Sequence, residues 1–411
     1  MIQTFIYIAI FCLLLLMSIY GLYFLLVIKT SKIKEYLEFI EGACRNSLNI
    51  QELPKVSILV PAHNEDNVIS EKLRNIAAFT YPREKLEVIL IDDCSTDNTA
   101  VTAARIMKES SLTVKILRNS KRIGVNASYN RGITETTGDY VLMTDADVVI
   151  EPDALMKGVR ILKSLGKIGG VTGRMITLSS SNTAAVSIES SYRSFFDQMA
   201  IAESAIDSTY PGYTCLALVR KAILSPLKEG YGSSDGNLSL SIIAQGYRYI
   251  YVPQLAFYES IATKIREQRR QKIRRGTRLL QSTLMYSKNL FNNGRKEFTK
   301  LIFPLRLSMM TICPICFWVG LVSLCIGIWT LSQVLMLFFL GLFFTLVFLS
   351  IKLPYRGLNL LSSFVVHQFY LISAIIMSPK RAKTWKAIER NANASTADRK
   401  NIPRSQLQAS A

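Results

Sequence analysis

Two pairs of carboxylates in this 411-residue chain are spaced for chemistry. Asp145-Ala146-Asp147 follows a short apolar run, Tyr140–Met143. Two carboxylates one residue apart at a strand end can share a hard divalent cation, and that cation can neutralise a pyrophosphate. The triplet alone is weak evidence, because a solvated loop leading to a helix cap at Pro152-Asp153 produces the same text. A second pair, Asp92-Asp93, follows the run at residues 88–91 and opens the segment Asp92-Asp93-Cys94-Ser95-Thr96-Asp97. Ser95, Thr96 and Asp97 suit the start of a helix. Capping leaves the two preceding carboxylates unexplained, since they repel unless each holds a hydrogen bond. A third candidate is VSILVPAHNE at residues 56–65, where an apolar run opens into a polar loop. His63 there reads as structural rather than catalytic.

Such residues act together only if a scaffold gathers them. Strands are expected at residues 56–60, 88–91, 113–117 and 140–143, with helices up to about residue 79, up to about residue 109, and over residues 125–136. Near-continuous apolar strands alternating with helices imply a parallel sheet covered on both faces. Ligands of such sheets bind beyond the carboxyl ends of the strands, where both acidic pairs fall.

Taken in order, strand-PAHNE, IDDCSTDNT, RIGVNASYNRG and MTDADVVIEPDAL resemble the family 2 glycosyltransferases of the GT-A fold, across residues 56–278. The apolar flanks resemble the membrane-bound members, among them hyaluronan, cellulose and poly-N-acetylglucosamine synthases. The resemblance implies an α/β, Rossmann-like, mostly parallel domain with α-helical transmembrane segments. It implies that Pro61, Ala62 and Glu65 line a nucleotide pocket, and that Asp93, with Asp92, holds the base, usually uracil. Arg122 and Asn126 fall in the stretch on the phosphate and ribose side. Asp145 touches ribose or metal, and Asp147 binds the Mg²⁺ or Mn²⁺ that holds the diphosphate. Further on, Gly232-Ser-Ser-Asp235 stands where the family carries an acidic motif ending in its general base. Asp235 is the residue carried over; Ser234 replaces the usual Glu, and the bland alternative is an N-cap for a helix at residues 236–245. Gln271-Lys-Ile-Arg274-Arg275 matches Q-x-x-R-W of processive members, whose Gln and Arg touch the diphosphate. Arg275 replaces the Trp that stacks on the acceptor sugar.

Charge and hydropathy place these motifs. Hydrophobic residues make up 49% of the chain and mean hydropathy is +0.24, high for a protein dissolved in water. No charge occurs at residues 2–28 or 307–351, and only His367 could carry one at residues 358–378. A helix of about 20 apolar residues crosses a bilayer. The first segment lacks the basic start and the small-residue site of a cleaved leader, so it reads as a retained anchor. The net charge is +19, yet the 22 basic and 22 acidic residues between Pro54 and Thr263 balance. The excess lies beside the apolar segments, as in membrane proteins; a nucleic-acid binder carries it on the folded domain. Residues 264–278 hold eight basic residues and one acid, the mark of a helix on anionic lipid. The seven cysteines show no framework spacing, and Cys313-Pro-Ile-Cys316 reads as apolar packing.

The resulting order is a transmembrane helix (1–28), a basic linker (29–53), the GT-A domain (54–263), amphipathic interface helices (264–300), a C-terminal block of two or three spans (301–378) and a basic tail (379–411). The implied reaction is inverting, metal-dependent sugar transfer from a nucleotide-sugar, usually a UDP-sugar, at the cytoplasmic face of the cell membrane. A carbohydrate or lipid-linked acceptor receives it, and no nucleic acid takes part. Polysaccharide synthesis is preferred over single transfer to a lipid. A non-catalytic nucleotide-binding subunit is the alternative from another class. Lys29, Lys32 and Lys34 place the domain on the cytoplasmic side; three further spans would then put the basic tail outside, unless a segment such as residues 301–314 lies in the interface.

Overall fold

The computed structural model describes residues 2–46, 48–110, 112–178, 184–210, 214–260, 265–352 and 356–379. Side chains that alternate between two covered faces build strands β1 (Val56–Ala62), β2 (Leu86–Asp92), β3 (Val114–Arg118) and β4 (Tyr140–Met143). These pair in parallel in the order β3-β2-β1-β4. Between them run helices α3 (Asp66–Ala77), α4 (Thr99–Ser110) and α5 (Val125–Thr134). The sheet continues with β5 (Val148–Ile150), β6 (Ile168–Leu178), β7 (Ala217–Arg220) and β8 (Arg248–Ser260), giving the order β3-β2-β1-β4-β7-β6-β8-β5. In this half β7 runs antiparallel to β4 and β6, and β5 antiparallel to β8. The whole is the GT-A type of α/β sheet.

Each face of the sheet has its own core. Val56, Ile58 and Val60 face α3, α4 and α6 (Ala154–Ser164), while Leu59, Ile89, Ile91, Val141 and Met143 face α5 and α8 (Ser234–Ala244). Gly138 closes on β1 so tightly that a Cβ there would lie 2.7 Å from the Ser57 nitrogen.

The segment read as a linker is part of the first core. Helix α2 (Ile33–Arg45) buries Tyr36, Ile40, Ala43 and Cys44 on one face and packs on α6. The Tyr36 hydroxyl donates to the Tyr251 carbonyl (2.7 Å), and Arg160 donates to the Cys44 carbonyl (2.7 Å). Its charged residues, Lys34, Glu35, Glu38, Glu41 and Arg45, lie on the other face.

Among the described residues, two helical runs are long and apolar enough to cross a membrane, Ile2–Lys29 and Phe298–Leu331. They contain α1 (Ile2–Tyr23) and α10 (Phe303–Leu331), which pack together. Gly320 and Gly327 on α10 let the backbones approach, with positions for a Cβ 3.0 Å from Cys12 and 3.3 Å from Ile6. Phe11, Leu13, Met17, Val322 and Trp329 are more than half exposed, an apolar surface larger than a water-soluble monomer tolerates. Phe298, Ile302 and Phe303 are fully buried on the sheet's second core, so the start of this run docks on the domain. All seven cysteines are free thiols, and Cys313 and Cys316 are buried, in keeping with packing. Helices α11 (Gln333–Lys352) and α12 (Arg356–Met377) follow.

Helix α12 returns to the domain. It lies along α9 (Ile265–Asn293), with the Arg269 guanidinium 5.0 Å from the Phe369 ring and the Lys272 ammonium 5.9 Å from Tyr370. Gln281 donates to the Ser378 carbonyl (2.9 Å). The last described turn therefore sits beside a helix of the catalytic half. The basic tail beyond residue 379 lies outside the described residues.

Candidate active site

The carboxyl ends of β1, β2 and β4 adjoin one another because the strands are parallel neighbours, and the loops leaving them are laced together. Asp93 N–H donates to the Ala62 carbonyl (2.8 Å), and His63 Nδ1 donates to the Asp93 carbonyl (2.8 Å). Asn64 takes the left-handed conformation (φ 56°), which Asn tolerates better than most residues. In that pose its side-chain oxygen accepts from Thr96 N–H (2.8 Å). Glu65 N–H donates to Thr99 Oγ1 (2.9 Å). Pro61, Ala62 and Glu65 thus border the loop that begins with Asp92-Asp93.

The repulsion expected between those two carboxylates is removed by separate sets of donors. Asp92 accepts from Ser95 N–H (2.9 Å) and faces Arg118 Nε at 3.4 Å. Asp93 accepts from Asn119 (2.9 Å), Ile123 N–H (2.8 Å) and Gly124 N–H (2.8 Å). Gly124 has φ +89°, a conformation open to glycine at no steric cost; it aims the two N–H groups at one carboxylate. Arg122 lies in the same loop, beside Asp93's partners. Asn126, which opens α5, points elsewhere: its amide donates to the Lys228 carbonyl (2.7 Å). Its side-chain oxygen is buried without a hydrogen-bond partner, leaving an acceptor for a ligand's N–H or O–H.

Asp145 and Asp147 stand on the loop between β4 and β5. Tyr129 O–H and Cys215 S–H each approach an Asp145 oxygen at 3.3 Å. Burial, and then the charge of Asp147, push the Asp145 carboxyl up to about 6. Burial and Asp145 hold the Tyr129 hydroxyl and the Cys215 thiol well above their ordinary values. Lys72, on α3 and 1% exposed, lies beneath this loop. Its ammonium donates to Thr144 Oγ1 (2.6 Å) and to the Val148 carbonyl (2.9 Å), one on each side of Asp145-Ala146-Asp147. One turn on, Asn75 donates to the Ile150 carbonyl (2.7 Å) and accepts from its N–H (2.9 Å).

Asp235 opens α8. Ser233, the residue before the helix, caps it by accepting from Gly236 N–H (3.1 Å), and Asp235 accepts from the same N–H (3.1 Å). Capping therefore falls mainly to Ser233. Burial raises the Asp235 carboxyl above its usual range, partly offset by Ser233 and Arg275. Helix α9 lies against α8, with Gly232 and Gly236 fitted onto Ser282. It carries Gln271 and Arg274 one turn apart, both partly buried. Arg275 pairs with Glu259 at 2.8 Å, and Glu259 stands opposite Val148 in the β5–β8 register. Through Glu259 and Arg275 the Asp145 loop and Asp235 share one electrostatic neighbourhood.

Lys72, Cys215 and Glu259 escape a motif reading. A lysine in an amphipathic helix reads as a solvated residue, and Glu259 reaches the site only by a strand pairing that local sequence does not encode. The available signal was weak: Lys72 falls in step with Ile69 and Ile76 on the buried face.

Residues 57–225 match the family model described as glycosyl transferase family 2. The chain is 30% identical over 152 residues to the probable glycosyltransferase YdaM of Bacillus subtilis (strain 168), covering 36% of either chain. It is 33% identical over 126 residues to the poly-beta-1,6-N-acetyl-D-glucosamine synthase of Staphylococcus aureus (strain MSSA476), covering 31% of this chain and 30% of that one. The chain thus aligns with about a third of the length of these curated relatives. Among solved structures, the mannosyltransferase PcManGT from Pyrobaculum calidifontis, in complex with GDP-Man and Mn²⁺, shares the fold. Its TM-score is 0.69 over 91% of this chain and 99% of that chain, at 22% identity. The family match at residues 57–225 falls on the parallel β3-β2-β1-β4 core and its strand-end carboxylates, so over that region the chain is similar to the family 2 glycosyltransferases, on a sheet of the GT-A type.

Proposed function

We propose that the protein transfers a sugar from a nucleotide-sugar to a hydroxyl acceptor in one inverting displacement, at the cytoplasmic face of a membrane, and that the product is a polysaccharide. The observation that carries this reading is that Asp93 and the Asp145/Asp147 pair leave β2 and β4, the two parallel neighbours of β1, at one end of the sheet, while the Arg275–Glu259 pair acts on both Asp145 and Asp235. Asp93, already oriented by three donors, keeps lone-pair capacity for the N–H edge of a base. Asp145 and Asp147 fit a divalent cation, Mg²⁺ or Mn²⁺. Both offer hard oxygen atoms, and burial, with the Asp147 charge beside it, raises the Asp145 carboxyl. Bound there, such an ion would supply charge neutralisation for a departing diphosphate. Asp235 takes the proton from the acceptor hydroxyl, and its raised proton affinity suits a general base working near neutrality. Gln271 and Arg274 are assigned to the diphosphate side, where the guanidinium stabilises departing charge.

The relation to a poly-beta-1,6-N-acetyl-D-glucosamine synthase supports a polymer product. One observation favours the second reading, transfer to a lipid-linked acceptor such as a polyprenyl phosphate. Where processive members carry a stacking Trp, Arg275 is committed to Glu259. The deciding experiment is nucleotide release by detergent-purified protein with Mg²⁺ or Mn²⁺ and a panel of nucleotide-sugars, followed by sizing of the product. Release from one donor, lost on removing metal and in Asp235→Asn, is the expected result. Absence of release from every donor, with nucleotide still bound, would favour a binding subunit.

A further inference from the structure

We propose that Lys72 is a positioning residue and a built-in counter-cation for Asp145 and Asp147, so that this pair takes up a divalent cation only together with the diphosphate of the donor. The inference rests on the reading of these two carboxylates as the metal site. Lys72 is buried to 1% exposure, yet its two hydrogen-bond acceptors, Thr144 Oγ1 and the Val148 carbonyl, are neutral. No carboxylate lies within 4 Å of its ammonium among the described residues. Burying an ammonium without a contact ion pair costs several kcal/mol, and an apolar side chain of similar length would serve packing better. Burial lowers the ammonium to about 8, and Asp145 and Asp147, at longer range, oppose that fall and favour its charged form.

The two acceptors bracket the acidic triplet, so the ammonium fixes both ends of the loop as well as its charge. Asn75, one turn along α3, holds the next residues through Ile150. Thr144 in turn donates to the Cys215 carbonyl (2.8 Å), joining the clamp to the residue whose thiol meets Asp145. A cation entering between Asp145 and Asp147 meets two negative charges already half-compensated from below. Bare metal is therefore held weakly. A diphosphate brings the negative charge that restores the balance, so metal and nucleotide bind with positive coupling, which is reciprocal between the two ligands.

The test is Mn²⁺ binding measured by the loss of the free-ion paramagnetic signal, on the full chain in detergent, with and without UDP, and with GDP in parallel. Wild-type protein is expected to bind Mn²⁺ weakly alone and more tightly with one of the two nucleotides. Lys72→Met should bind bare Mn²⁺ on the order of tenfold more tightly and lose a similar factor of nucleotide coupling, while Lys72→Arg stays near wild type. Should Lys72→Met fail to fold, Lys72→Gln keeps an N–H donor without the charge, and the same gain in bare-metal affinity is expected. A folded neutral variant whose bare Mn²⁺ affinity is unchanged or weaker would reduce Lys72 to structural support and overturn the inference. Wild-type protein that takes up no Mn²⁺ with either nucleotide would overturn the metal site itself, and this inference with it.

Discussion

Replacing Asp145 by Asn should stabilise the metal-free protein while removing one carboxylate of the proposed metal site. In the fold, burial first and Asp147 second lift the Asp145 carboxyl from the ordinary carboxylate range to about 6. A raised proton affinity means that the charged form is the disfavoured one. Its contribution to stability is full below the unfolded-state value, near 4, and is lost as pH rises through about 6. The displacement is worth at most about 3 kcal/mol at neutral pH, and about 2 kcal/mol once the surface that Asp145 keeps open to water is allowed for. Asn carries no charge at any pH, so Asp145→Asn should recover that amount at about pH 7.5 and less than half of it at about pH 4.5. For a domain of this size the gain corresponds to about 4–8 °C in Tm. The assay is thermal unfolding in detergent and chelator at both pH values, repeated with Mn²⁺ and nucleotide. Added ligands should raise the Tm of the wild type and leave the variant unmoved. A variant no more stable than wild type at pH 7.5, or stabilised equally at both pH values, would refute the idea that Asp145 is held charged against its environment.

Asp235→Asn should lower turnover by at least about 100-fold while nucleotide binding stays within about twofold. The acid limb of the wild-type rate profile should lie above the ordinary carboxylate range, because burial raises Asp235. Arg306→Met should cost about 3–5 kcal/mol, read by thermal unfolding, because it strands the fully buried Glu203, 3.2 Å from the guanidinium; Glu203→Gln in the same chain should recover part of it. Cysteines introduced as Lys108→Cys in the domain and Pro379→Cys at the end of α12 should react with an impermeant thiol reagent from the same side of the membrane, since Ser378 ends against Gln281. Labelling from opposite faces would refute that return.

Which parts of this molecule are readable without coordinates follows from the range of the interactions. Strands β1 to β4 are runs of locally apolar residues, and parallel pairing of such runs forces their polar exits together. The positions of Asp92, Asp93, Asp145 and Asp147 were therefore legible to within a residue or two. Strands β5 to β8 were not, because their order depends on partners far away in sequence, such as Val148 with Glu259 and Tyr140 with Arg220. Helix α2 packs on the domain through Tyr36, Ile40, Ala43 and Cys44, which recur at helical spacing, while the exposed charges of its outer face hide that pattern. Lys72 was hard to find for a different reason: its step with Ile69 and Ile76 is the one local sign of burial, and the contacts that use its charge, at Thr144 and Val148, come from distant sequence.

The chain between α7 (Ala184–Ile206) and β7 links the apolar helices to the chemistry. Glu203, at the end of α7, accepts from Tyr23 of α1 (2.7 Å) and from Thr209 (2.6 Å), and pairs with Arg306 of α10. Four residues on, Asp207 holds Arg295, which follows α9, through both oxygens at 2.7 Å. Arg306 also donates to the Tyr210 carbonyl (3.0 Å) and lies 5.8 Å from the Tyr210 ring. A few residues later Cys215 meets Asp145. The carboxylates of Glu203 and Asp207 are buried charges whose ion-pair partners, Arg306 and Arg295, come from outside residues 54–263. A soluble fragment cut at those boundaries would leave both unpaired in the interior, at several kcal/mol each. It would also loosen the segment that ends at the Asp145 loop. Helices α1 and α10 therefore supply partners for charges buried in the α/β half as well as flanking it.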